Sequence, residues 1–217
     1  MKDEYEMIFK AVVEGNVEGA EKLVSDSLMG GIMAGELLNQ GLIRAMDEVG
    51  TRFERGDMYI PEMLVSAKAM KAGLSILRPY LVKEGIPAIG RVIIGTVKGD
   101  MHDIGKNLVT MMLEGAGFEV IDLGTDVAPE KFAEAVRKYS PDIVGLSALL
   151  TTTMQQMKNT IEAIDDLGTR DQVKIIIGGA PVTQEYSEKI GADGYAADAS
   201  KAVNWAKAIP HSNSKVF

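Results

Sequence analysis

Few residues in this chain could do chemistry. Its 217 residues include no cysteine and only two histidines, His102 and His211. Without thiols there are no disulfides, zinc–thiolate sites, iron–sulfur clusters or thiol nucleophiles. His211 belongs to a polar tail, HSNSKVF, of the kind that frays. His102 is the histidine placed for chemistry, within Lys98-Gly99-Asp100-Met101-His102-Asp103-Ile104-Gly105. Asp-x-His has a plain chemical logic. One ring nitrogen can ligate a metal while the other donates a hydrogen bond to the carboxylate, which fixes the tautomer and strengthens the ligand. A closed tetrahedral site needs four ligands. A lone axial histidine instead suits a metal whose other ligands come from a macrocycle.

Elements must position that pair. RVIIGTV, FEVIDLG, DIVGLSAL and VKIIIGG are short apolar, β-branched runs, and GYAAD is a weaker fifth. Helical stretches separate the first four: KNLVTMMLEGAG, PEKFAEAVRKYS and MQQMKNTIEAIDDLG. A last helix, ASKAVNWAKAI, follows the fifth. Alternating strands and helices predict right-handed βαβ units and a parallel sheet covered on both faces. The expected fold is α/β, a flavodoxin-like (Rossmann-type) doubly wound five-stranded sheet in the order 2-1-3-4-5. Ligands in such sheets bind beyond the carboxyl ends of the strands, at the switch point between strands 1 and 3. The His102 segment follows strand 1. Strand 3 ends in Ser147-Ala148-Leu149-Leu150-Thr151, and strand 4 in Gly178-Gly179-Ala180. These ends should converge, with Ser147 placed to hydrogen-bond Asp100. Gly105, Gly178 and Gly179 would open space beside the sheet.

The N-terminal part has a different period. Helices are expected at about 3–14, 16–29, 33–55 and 61–84, forming a four-helix bundle. Leu38, Leu42, Met46, Val49 and Phe53 make a helical stripe, and Pro61 sits at a predicted N1 position with Glu62 in the first turn. KEGIPAIG reads as a linker. The expected domains are a helical cap, 1–88, and an α/β domain, 89–217.

A net charge of −8 argues against nucleic acid, whose phosphates need a basic patch. No apolar run approaches the roughly 18–20 residues of a membrane span, and the acidic N-terminus lacks a signal-peptide core. The expected location is cytoplasmic, with no membrane partner.

Asp100-x-His102-x-x-Gly105, then Ser147-x-Leu149, then Gly178-Gly179 resembles the signature of cobalamin-binding domains like that of methionine synthase, in residues and in spacing. GTVKGDMHDIGKN extends the likeness. The segment Gly50-Thr-Arg-Phe53-Glu-Arg-Gly56-Asp-Met-Tyr59-Ile60-Pro61-Glu62 resembles that family's helical cap. The resemblance covers nearly the whole chain. Length and layout are most similar to the stand-alone corrinoid proteins of methylamine, methanol and methoxyaromatic methyltransferase systems.

This resemblance implies a cobalamin or related corrinoid held base-off, with His102 as the cobalt ligand and Asp100 and Ser147 completing a relay. Gly99, Met101, Asp103 and Ile104 would line the loop under the corrin. Gly105, Ser147, Leu149, Thr151, Gly178 and Gly179 would flank the detached nucleotide tail, and Ala199 matches a further cofactor contact. Phe53 and Ile60 fall where the family places two apolar residues over the methyl group; Leu is frequent at the second position, so Ile60 departs mildly. The implied function is a methyl carrier that is not catalytic alone. Cob(I)alamin accepts a methyl group from a donor-specific methyltransferase, and methyl-cob(III)alamin passes it to a second, whose acceptor is tetrahydrofolate or coenzyme M. A reductive activase is a further implied partner. The segment Gly85–Gly90 is the expected hinge for cap movement. The alternatives are the cobalamin-binding subunit of a mutase and a cobalamin-sensing regulatory module.

Overall fold

The computed structural model describes residues 2–210, so His211 lies outside the described residues. The chain divides into two compact units. Among the described residues, one takes 2–88 with Glu114–Gly117, the other Ile89–Leu113 and 118–210.

The first unit is helical. It comprises α1 (Lys2–Val13), α2 (Val17–Met29), a continuous run of α3 (Ala34–Glu36), a π-helical segment (Leu37–Ile43) and α4 (Arg44–Arg55), and then α5 (Ile60–Glu84). The third predicted helix therefore forms, but with a π segment inside it. Its stripe is inward: Leu38, Leu42, Met46 and Val49 are buried, and Phe53 is half-buried. Leu42 lies against Gly73 of α5, where a Cβ would meet its methyl carbon at 3.0 Å. Asn16 caps α2 by accepting the Gly19 N–H (2.9 Å). Glu62 accepts the Tyr59 N–H at the start of α5 (2.8 Å). Ile60 is the first residue of α5, so Pro61 occupies the second helical position rather than the first. Proline is tolerated there because the missing N–H has no intrahelical acceptor in the first turn.

The second unit alternates β1 (Arg91–Thr96), α6 (Ile104–Gly115), β2 (Glu119–Asp122), α7 (Pro129–Tyr139), β3 (Ile143–Ser147), α8 (Gln155–Asp166), β4 (Lys174–Gly178), α9 (Gln184–Ile190), β5 (Gly194–Ala196) and α10 (Ala199–Ala208). The helix α9 goes beyond the sequence expectation; it is a short element capped by the Thr183 side chain on the Tyr186 N–H (3.1 Å). The strands are parallel, in the order β2-β1-β3-β4-β5, as the strand pattern predicts. Ile93, Val144, Leu146, Ile175 and Ile177 are buried in a core shared with Phe132, Met157 and Ile164 of the helices. Full coverage explains why these strands read as continuous apolar runs rather than alternating ones.

Candidate functional site

Register brings the predicted strand ends into one row. Thr96 pairs with Ser147, Ser147 with Gly178, and Gly178 with Ala196. The loops that follow start side by side. The Val97 N–H reaches the Ser147 carbonyl (3.0 Å) and the Ala148 N–H the Gly178 carbonyl (3.2 Å). Gly179 has φ +128°, and a Cβ there would sit 1.8 Å from the Ala148 carbonyl oxygen. Only glycine permits this approach of two backbones.

Asp100 is the centre of the arrangement. It is fully buried, and its carboxylate ties together the loops after β1 and β3. Oδ1 faces His102 Nδ1 at 2.8 Å and accepts the His102 N–H (3.1 Å). Oδ2 accepts the N–H groups of Leu149 (2.8 Å) and Leu150 (3.2 Å), and the hydroxyl of Thr153 (2.7 Å). Burial acts to raise the proton affinity of this carboxyl. The hydrogen bonds from Thr153, Leu149 and His102 outweigh it and hold the group well below the usual carboxylate range. An ionised carboxylate only accepts hydrogen bonds, so His102 Nδ1 carries a proton, and in the neutral imidazole the lone pair is on Nε2. Thr96 Oγ1 donates to the His102 carbonyl (2.9 Å) and fixes the loop from below. The imidazole itself is 52% exposed while Asp100 beneath it is at 0%.

The hydrogen bonding around Asp100 differs from the expected arrangement in one member. The hydroxyl on Asp100 is that of Thr153, not Ser147. Ser147 is the last residue of β3, held in register with Thr96 and Gly178. The loop then turns, with the Thr153 N–H on the Leu150 carbonyl (3.0 Å), and this turn returns the Thr153 side chain to Asp100. The run Thr151-Thr152-Thr153 was the available signal, but a strand-end reading stops at Thr151. Thr151 is exposed and Ser147 half-buried.

The surroundings of His102 are apolar and open. Met101 (69%), Ile104 (80%), Leu149 (42%) and Leu150 (42%) are all exposed. Nothing lies within 4 Å of where a Gly105 Cβ would stand. Asp103 accepts the Asn107 side-chain amide (2.9 Å) at the start of α6. Gly99, at φ +79°, donates to Asp126 Oδ1 (2.6 Å). Ala199 is buried as the first residue of α10, just beyond β5 and so at the same sheet edge. Phe53 and Ile60 belong to the helical unit; Ile60 is 46% exposed. Among the described residues, no group of three or more His, Cys, Asp or Glu is placed to hold a metal ion. The donor set is one imidazole with apolar flanks and a side-chain-free edge, which fits a broad, mostly apolar group bringing its own metal ligands.

A histidine fixed by a buried aspartate at the switch point of a five-stranded parallel sheet marks this unit as a B12-binding domain. The family model described as B12 binding domain matches residues 90–204, and a second model with the same description matches residues 4–78. The chain is 44% identical over 213 residues to trimethylamine corrinoid protein 2 of Methanosarcina acetivorans, covering 96% of this chain and 98% of that protein. Two solved structures are similar. A cobalamin-binding protein from Desulfitobacterium hafniense DCB-2 aligns with a TM-score of 0.76 at 31% identity, over 92% of this chain and 95% of that one. The methanol:cobalamin methyltransferase complex MtaBC from Methanosarcina barkeri aligns with a TM-score of 0.81 at 28% identity, over 99% of this chain and 82% of that one. The chain belongs to the corrinoid proteins of methyltransferase systems.

Proposed function

We propose that this chain holds a corrinoid base-off, with His102 Nε2 as the protein ligand to cobalt, and shuttles methyl groups between two partner methyltransferases. The observation that carries the reading is the Asp100–His102 pair: a buried ionised carboxylate 2.8 Å from Nδ1 leaves the other nitrogen of a half-exposed ring free to ligate. A corrinoid held there would supply a nucleophilic cobalt for methyl uptake and release.

The residues of the chain do the rest. Asp100 fixes the imidazole tautomer and its orientation. Thr153 Oγ1, 2.7 Å from Asp100 Oδ2 and 2.9 Å from the Leu150 carbonyl, holds a proton that can serve either acceptor, so it can follow changes in charge on the pair. Gly99, Met101, Asp103 and Ile104 support the corrin face. Gly105, Ser147, Leu149, Thr151, Gly178, Gly179 and Ala199 accommodate the displaced nucleotide tail along the strand ends. By the resemblance of their segment, Phe53 and Ile60 of the helical unit would serve the methyl group.

The partners are a donor-specific methyltransferase, an acceptor methyltransferase using tetrahydrofolate or coenzyme M, and a reductive activase. The relatives named for trimethylamine and the methanol complex support a methyl donor of that small, substituted class. Among the described residues no helix is long and apolar enough to cross a membrane; a cytoplasmic location is part of the proposal.

The test is reconstitution of His102→Ala with hydroxocobalamin. The variant should lose the absorbance of the histidine-ligated, base-off form and retain cofactor poorly on gel filtration. Unchanged spectrum and retention would overturn the ligand assignment.

A further inference from the structure

The loop that carries Asp100 and His102 is gripped from two flanks. On the β3 side the grip is that of Leu149, Leu150 and Thr153 on the Asp100 carboxylate. On the β2 side Asp126 makes two bonds that bracket the Asp100 backbone. Its Oδ1 accepts the Gly99 N–H at 2.6 Å, and its own N–H donates to the Asp100 carbonyl at 3.0 Å. The Val97–Val127 bridge lies directly behind it.

Asp126 does this with φ +52°, a left-handed conformation that costs free energy in any residue with a Cβ. The other non-glycine residue with positive φ among those described is Ser140, which caps the end of α7, an ordinary place for such a conformation. Asp126 caps no helix. Glycine there would remove the strain, but it would also remove the carboxylate that reaches Gly99. A charge-assisted bond to a backbone N–H is stronger than a neutral one, and aspartate tolerates the left-handed region better than most residues.

We propose that Asp126 is a positioning residue for the cobalt ligand. It fixes Gly99 and the Asp100 backbone, Asp100 fixes the His102 ring, and the free nitrogen of that ring is thereby aimed before the cofactor arrives. The inference rests on His102 being the ligand, and the experiment separates the two claims.

Asp126→Ala, Asp126→Gly and Asp126→Asn are compared with wild type and His102→Ala, all as the full chain reconstituted with hydroxocobalamin. Two quantities are read at neutral pH: the ratio of histidine-ligated to unligated cofactor from the absorbance spectrum, and Gly99 amide exchange in the cofactor-free protein. Asp126→Ala and Asp126→Gly should lower the ratio by roughly threefold to tenfold, the factor that one hydrogen bond is worth, and should speed Gly99 exchange. Asp126→Gly should do so without a fall in unfolding midpoint, because glycine relieves the strain. Asp126→Asn keeps an acceptor oxygen and a tolerance for positive φ, so it should restore most of the ratio. If His102→Ala abolishes the ligated spectrum while Asp126→Ala and Asp126→Gly match wild type, the positioning role is overturned and the ligand assignment stands. An equal deficit in all three Asp126 variants overturns it too. If His102→Ala leaves the spectrum unchanged, the ligand assignment itself has failed.

Discussion

The two units bury polar groups for different ends. In the helical unit the buried polar side chains among the described residues are Ser27 and Ser66, and Ser66 satisfies itself on the Val13 carbonyl between helices (3.0 Å). The α/β unit buries three charged residues, Asp100, Lys106 and Asp142. Each is bonded: Asp100 by the two loops, Lys106 by Asp122 and Asn107, and Asp142 by the Arg91 N–H (2.8 Å). A buried charge survives only with such partners. The helical unit is thus held by apolar packing, whereas the α/β unit spends its buried charge on fixing loops, Asp100 at the carboxyl edge most of all. A change in one unit should cost stability, and a change in the other should cost stability and ligation together.

The largest break in that contrast comes from Asp100→Ala. It strands three backbone N–H groups, a hydroxyl and the imidazole, so it should cost about 4 kcal/mol in urea unfolding and abolish the histidine-ligated spectrum. Leu42→Ala, in the helical unit, should cost about 3 kcal/mol yet leave that spectrum unaltered; a spectral change would show that the units do not divide their work this way. Thr153→Val removes one hydroxyl at constant shape and should cost about 1.5 kcal/mol, with partial loss of ligation. Ser147→Ala should stay within about 0.5 kcal/mol of wild type. Equal effects in the two variants would return Ser147 to the relay.

The smallest effect is on pH dependence. In Asp100 and Asp193 burial raises proton affinity, but hydrogen bonds outweigh it and leave both carboxyls below their ordinary values. For Asp193 these come from the Ile175 N–H, Lys174 and Arg170. A carboxyl that is more acidic folded than unfolded stabilises fully above its unfolded value, about pH 4, and loses that stabilisation as pH falls. Unfolding free energy should therefore be level near neutrality and decline on the acid side. Asp100→Asn should flatten part of that decline, and an equally steep slope in the variant would show that Asp100 contributes none of it.

Local pattern determined much of this molecule. The 3.6-residue stripe from Leu38 to Val49 and the β-branched runs set helix and strand, because burial rewards those periods directly. Short βαβ connections and their handedness then leave few topologies, so the strand order and the place of Asp100 and His102 at the switch point are legible in the sequence. Tertiary structure decided what depends on how loops turn after the strands end. It put Thr153 rather than Ser147 on Asp100, inserted a π segment between Leu37 and Ile43, formed α9, and held Asp126 left-handed against Gly99. Loop hydrogen bonds join residues distant in sequence, Asp100 to Thr153 and Gly99 to Asp126, and no periodicity records which pairs will meet.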